Sequence, residues 1–177
     1  MNGHERGERG EHRESTGEPE TPETIELWVW ADRDCLDAEH DLVIERVERL
    51  VGRGVVDAFR TREWDHQIDL AGRRPSSVRE HAARSHLAAF EQWAATHGVE
   101  LPLPPVHRGG VGRMGPETTL QDLPMLLMAE YVGENVAFVT PCETERGGHS
   151  PEGRLDRLAA AGKWVPPESL DEPAPTP

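Results

Sequence analysis

The sequence predicts an α/β domain built on a mixed four-stranded sheet, and three observations carry that expectation. Short β-branched and aromatic runs alternate with longer stretches of helical periodicity. Two helix starts carry explicit capping residues, and two late apolar runs are joined by a turn sequence. The order read from these signals is β-α-β-α-β-β-α.

Ile25-Glu26-Leu27-Trp28-Val29-Trp30 is the first strand, ending in an Asp-rich turn. Asp37 is placed to cap a helix whose apolar positions are Leu42, Val43, Val47, Leu50 and Val51, closed by Gly52 or Gly54. Val55 to Trp64 reads as strand two. Ser77-x-x-Glu80 is a capping box, because a serine oxygen can accept from the third helical N–H while the glutamate reaches back. It opens a helix through Val78, Ala82, Ala89, Phe90, Trp93 and Ala94, with Gly98 past its end. Val99 to Pro105, with three prolines, must be extended. Val106 to Asp122 is glycine-rich and reads as a mobile surface loop. Met125 to Tyr131 and Val136 to Thr140 form a hairpin about Val132-Gly133-Glu134-Asn135. Ser150-Pro151 starts a last helix through Leu155, Leu158 and Ala159, since proline fits where the first N–H has no partner.

The 177 residues hold 33 Asp and Glu against 19 Lys and Arg, a net charge of −14, and Lys163 is the single lysine. Such a chain repels phosphates, so nucleic acid is an unlikely partner on charge alone. No apolar run is long enough for a membrane helix, and the polar N-terminus has no signal peptide, so the expected location is cytoplasmic. Residues 1–24 and the proline-rich 165–177 lack the apolar content to offset their ordering entropy and are expected to be disordered tails around a domain at 25–164. Acid excess with almost no lysine resembles the composition of proteins from salt-loving archaea. At molar salt the Debye length is only about 3 Å, which screens the self-repulsion.

Strand, helix, strand, then a second helix and a closing hairpin with a helix, resembles the thioredoxin-like fold and its glutaredoxin variant. The resemblance implies that Cys35, just beyond strand one, stands where a reactive cysteine would be. It implies a cis-proline position at Pro124, and a glutathione-type binding pair at Gly147 and Gly148. In that fold Cys35, Pro124 and Cys142 share one edge of the sheet. Cys35-Leu36-Asp37-Ala38 lacks the second cysteine of a dithiol motif, and Asp32, Asp34, Asp37 and Glu39 disfavour a thiolate. Separately, Asp122 to Tyr131, Val136 to Cys142 and Arg154 to Leu158 resemble the C-terminal half of a haloarchaeal family whose members are often labelled helix-turn-helix proteins.

Other constellations are weaker. Cys35, His40, Cys142 and His149 could reach one edge as a zinc set, but the spacing is loose and no metal is expected. His81 and His86, five apart, point away from each other on a helix. Trp28 and Trp30 share one strand face, and Trp93 lies on a helix stripe, which suits core packing. The glycines from Gly109 to Gly115 lack the lysine and helix of a phosphate loop. The functional expectation is a non-catalytic, thioredoxin-like binding or regulatory module of a halophile, without a cofactor and with a protein or small thiol as partner. One alternative is a single-cysteine redox protein using Cys35, and a second is a DNA-associated regulator.

Overall fold

Alternation along Thr24–Trp30 (β1) sorts its side chains onto two faces, and each face founds one half of the core. Ile25 and Leu27 point to one side, Trp28 and Trp30 to the other. The computed structural model describes residues 24–31, 38–71, 76–109 and 118–166. Residues 1–23 and 167–177 of the expected tails, and the position of Cys35, lie outside the described residues; the expected tail boundaries lie too far inward, since Thr24 opens β1 and Val165 packs against the core.

Helix α1 (Ala38–Gly52) buries Val43, Val47 and Leu50 against Ile25 and Leu27. Each such side chain contributes roughly 1.5–3 kcal/mol on leaving water. Leu42, expected in that stripe, is 50 % exposed. The chain returns through Val55 and Val56, both buried in a turn, so β2 (Ala58–Trp64) starts three residues later than expected.

Helix α2 (Val78–His97) starts at Ser77, whose Oγ accepts from Glu80 N at 3.0 Å, and ends at Gly98 with φ 64°. Its buried stripe is Ala83, Leu87, Phe90, Trp93 and Ala94, on Trp28 and Trp64. The expected stripe was out of register at its start: Val78 is 90 % exposed and Ala89 lies outside. Glu80 does not reach back to Ser77; its Oε1 accepts from Asp69 N and Arg84 Nη2.

Five further short strands were not expected. Gln67–Asp69 (β3), His107–Gly109 (β4) and Thr118–Asp122 (β5) form a separate sheet in the order β3-β5-β4. The segment from Val106 to Asp122 is therefore not all loop: both its ends are strands. Next come β6 (Leu126–Val132) and β7 (Asn135–Thr140), the expected hairpin, turning at Gly133. Cys142–Thr144 (β8) and Gly147–His149 (β9) form a second hairpin before α3 (Pro151–Ala161).

The main sheet runs β2-β1-β6-β7, with β1 parallel to β2 and antiparallel to β6, and β6 antiparallel to β7. This is the expected mixed four-stranded sheet, with three helices. Helices α1 and α3 pack together on the Ile25 face, and α2 covers the Trp28 face. One feature implied by the resemblance falls elsewhere: the cis bond among the described residues is Thr140–Pro141, and the bond before Pro124 is trans. No helix of the described residues is long and apolar enough to cross a membrane.

Candidate functional site

At the end of β7 the chain turns through Pro141 into β8, and Cys142 pairs across the hairpin with His149. Thr144 closes the turn: its Oγ1 accepts from Arg146 N at 3.2 Å and donates to Gly147 O at 2.9 Å. Gly147 sits at φ 140°, a conformation that side chains disfavour, which is why glycine stands there. Glu143 also exchanges two backbone hydrogen bonds with Glu100, at 2.9 and 2.7 Å, docking the extended segment Val99 to Pro105 beside the hairpin. Ser150 Oγ then accepts from Gly153 N at 3.1 Å and starts α3. Hairpin, extended segment and helix enclose a cleft of about 660 Å³.

Pro102, Pro141, Cys142 and Ala160 give the cleft apolar walls, and its charged groups are Glu143, Arg154, Asp156 and Arg157. Arg154 is committed elsewhere: Nε and Nη2 grip Glu130 at 2.7 and 2.8 Å, and Nη2 also donates to Val165 O. Trp164 Nε1 donates to the same carboxylate at 2.6 Å, and the guanidinium lies 4.8 Å above the Phe138 ring. A fully buried carboxylate is tolerable only with such a set of donors. Asp156 is paired with Arg46 of α1 at 2.9 Å. Arg157, half-buried, makes no ion pair with any described residue.

Two titrating groups report the local environment. Burial pushes the Cys142 thiol up to about 11, so it is not a thiolate near neutrality. Burial, then the Arg157 and Arg154 guanidiniums, hold His149 below the usual imidazole range. The cleft thus brings two guanidiniums and two carboxylates around apolar walls, with an imidazole and a thiol held uncharged on one side.

A second polar cluster lies on the α2 face of the sheet. Arg62 donates from Nε and Nη2 to Glu26 Oε1 at 3.3 and 3.2 Å, and Glu26 is buried. His86 Nδ1 stands 3.3 Å from the Tyr131 hydroxyl and 4.0 Å from Glu26 Oε2. Burial holds the His86 imidazole low, and burial followed by the Glu26 carboxylate pushes the Tyr131 phenol up. Glu26 Oε2 is buried without a hydrogen-bond partner among the described residues, and none of these side chains lines the cleft. The arrangement ties α2 to β1 and β6.

Of the residues singled out from sequence, Cys142 and Gly148 line the cleft, and Gly147 shapes the hairpin beside it. Pro124 is not part of the wall; its carbonyl accepts from Trp64 Nε1 at 3.1 Å. Of the four zinc candidates, Cys142 and His149 are neighbours and Cys35 lies outside the described residues. Among the described residues no group of three or more His, Cys, Asp and Glu could hold a metal ion. Sequence reasoning missed Arg154, Arg157 and Glu130. A carboxylate inside the apolar run Leu126-Leu127-Met128-Ala129-Glu130 was the available signal, because such a group is buried only with a partner.

A family model described as a helix-turn-helix domain matches residues 17–163. No curated protein and no solved structure matches. Among the described residues no helix is followed directly by another: α1 leads into β2, α2 into β4, and α3 is the last element.

Proposed function

The chain belongs to the helix-turn-helix domain family, and from that premise we propose that it works as a non-catalytic binding and regulatory module, thioredoxin-like in topology, in a salt-rich cytoplasm. The observation that carries this reading is the cleft beside α3, whose thiol is pushed up to about 11 and whose walls are mostly apolar. Such a site can hold a molecule but offers no activated nucleophile. The sheet order β2-β1-β6-β7, with two helices on one face and one on the other, supports the likeness to thioredoxin-like proteins. An acid excess with one lysine supports a halophilic setting.

The redox alternative would make Cys35 a lone nucleophile, with Pro124, Cys142, Gly147 and Gly148 about its substrate. Alkylation of the Cys142→Ala protein as a function of pH tests it. The binding reading expects a Cys35 midpoint at or above the free value of about 8.5; a midpoint near 6 replaces it with the redox enzyme.

The family match favours one further reading, a DNA-associated regulator, against the exclusion drawn from charge. A net charge of −14 makes this chain a weak ligand for a phosphate backbone, so contact with DNA would come through a partner. Fluorescence anisotropy of labelled genomic duplexes, at about 0.3 M and 2 M KCl, decides: a saturable rise with the protein alone makes it a direct DNA binder.

A further inference from the structure

We propose that the cleft between the β8–β9 hairpin and α3 is a site for a small organic anion, a carboxylate carried on an apolar body, with Arg157 as its counter-charge. This rests on the binding-module reading and names the class of molecule bound.

Size and lining come first. About 660 Å³ falls within the usual range for small-molecule sites, and such sites combine apolar walls with a few placed polar groups. Pro102, Pro141, Cys142 and Ala160 supply the walls for an apolar body. A buried, protonated thiol is a bland neighbour there, since it behaves as a small hydrophobe.

Charge decides the head group. In a chain with 33 carboxylates and 19 basic residues, a half-buried arginine with no ion-pair partner among the described residues is an anomaly. The other cleft cation, Arg154, is taken up by Glu130, and Asp156, largely exposed, points to a contact with Arg46 of α1. Glu143, exposed on the hairpin, faces solvent at the rim. Arg157 therefore presents a planar fork of donors that suits a carboxylate. Burial first, then the nearby Arg157 and Arg154 guanidiniums, hold the His149 imidazole low, so the ring adds no competing positive charge near neutrality. A neutral imidazole can still donate one hydrogen bond. One uncommitted cation in a mainly apolar cleft favours a monoanion over a phosphate dianion, whose desolvation needs more donors.

The test is calorimetric titration of the full chain in 1 M KCl with benzoate, benzamide, benzylamine and inorganic phosphate. Benzoate is expected to bind saturably, more tightly than benzamide, with benzylamine and phosphate silent. Arg157→Gln is expected to weaken benzoate about tenfold, the loss of one charge-assisted contact, and to leave benzamide unchanged. Its unfolding midpoint checks that the fold persists. Ala160→Trp, filling the cleft, is expected to abolish binding of both aromatic probes. Equal binding of benzoate and benzamide, unaffected by Arg157→Gln but lost in Ala160→Trp, overturns the anion class while leaving a binding cleft. Binding of no probe overturns both readings.

Discussion

Replacing Arg154 by alanine removes three hydrogen bonds and a ring contact at once, and the result is set by what stays behind. Glu130 is fully buried, and among the described residues its carboxylate would keep Trp164 Nε1 alone, at 2.6 Å. Val165 O would lose the donor at 2.7 Å, and the Phe138 ring its cation at 4.8 Å. Leaving one member of a buried pair uncompensated costs about 3–5 kcal/mol. At about 2–4 °C per kcal/mol for a chain of this size, the unfolding temperature should fall by roughly 6–20 °C. The pair is shielded from solvent, so molar KCl should barely change the loss. Urea unfolding followed by tryptophan fluorescence at pH 7.5 measures it, since Trp164 sits on the carboxylate. Replacing both partners, with Glu130→Leu and Arg154→Met, should recover all but about 1–2 kcal/mol, because an apolar pair leaves no stranded charge. An Arg154→Ala protein within about 1 kcal/mol of the parent would refute the claim that this ion pair anchors α3 to the sheet.

Three further outcomes follow from the same structure. Cys142, at about 11, should be roughly one part in a thousand thiolate at pH 8, so a Cys35→Ala protein should resist iodoacetamide until unfolded; labelling as fast as free cysteine contradicts its burial. The unfolding midpoint should rise between 0.1 M and 2 M KCl, as the Debye length drops from about 10 Å to below about 3 Å over a chain of charge −14; an unchanged midpoint would remove the halophilic reading. His86 and His149 hold protons less readily folded than unfolded, so the unfolded state gains protons first and stability should be lost as pH falls below 6.5. His149→Gln should flatten that decline in a urea series from pH 7.5 to 5.

The main sheet was legible because its strands are long enough to show their pattern. β1 and β6 carry seven residues each, mostly apolar, as befits strands with a neighbour on both sides. Helix starts were legible because Ser77 and Ser150 act locally, each on an N–H three residues on. The stripe of α2 was harder, since His86 and Ala83 sit among small and polar neighbours that blur the period. β3, β4, β8 and β9 escaped because three residues cannot display alternation, and Gly147-Gly148 reads as loop without its partners. For the cleft, Cys142 and Gly148 were found through the topology that the fold order implied. Arg157 could not be: its meaning lies in having no carboxylate partner among the described residues, a property of tertiary placement that no local motif encodes.

The central claim, that this chain binds a molecule non-covalently beside α3, is tested most directly by amide resonances during a benzoate titration in 1 M KCl. The account predicts progressive, saturating shifts at Gly148, His149, Gly153 and Arg157, with Glu45 and Glu48 on the exposed side of α1 unmoved. Unchanged resonances at the cleft, or shifts concentrated on α1, would contradict it.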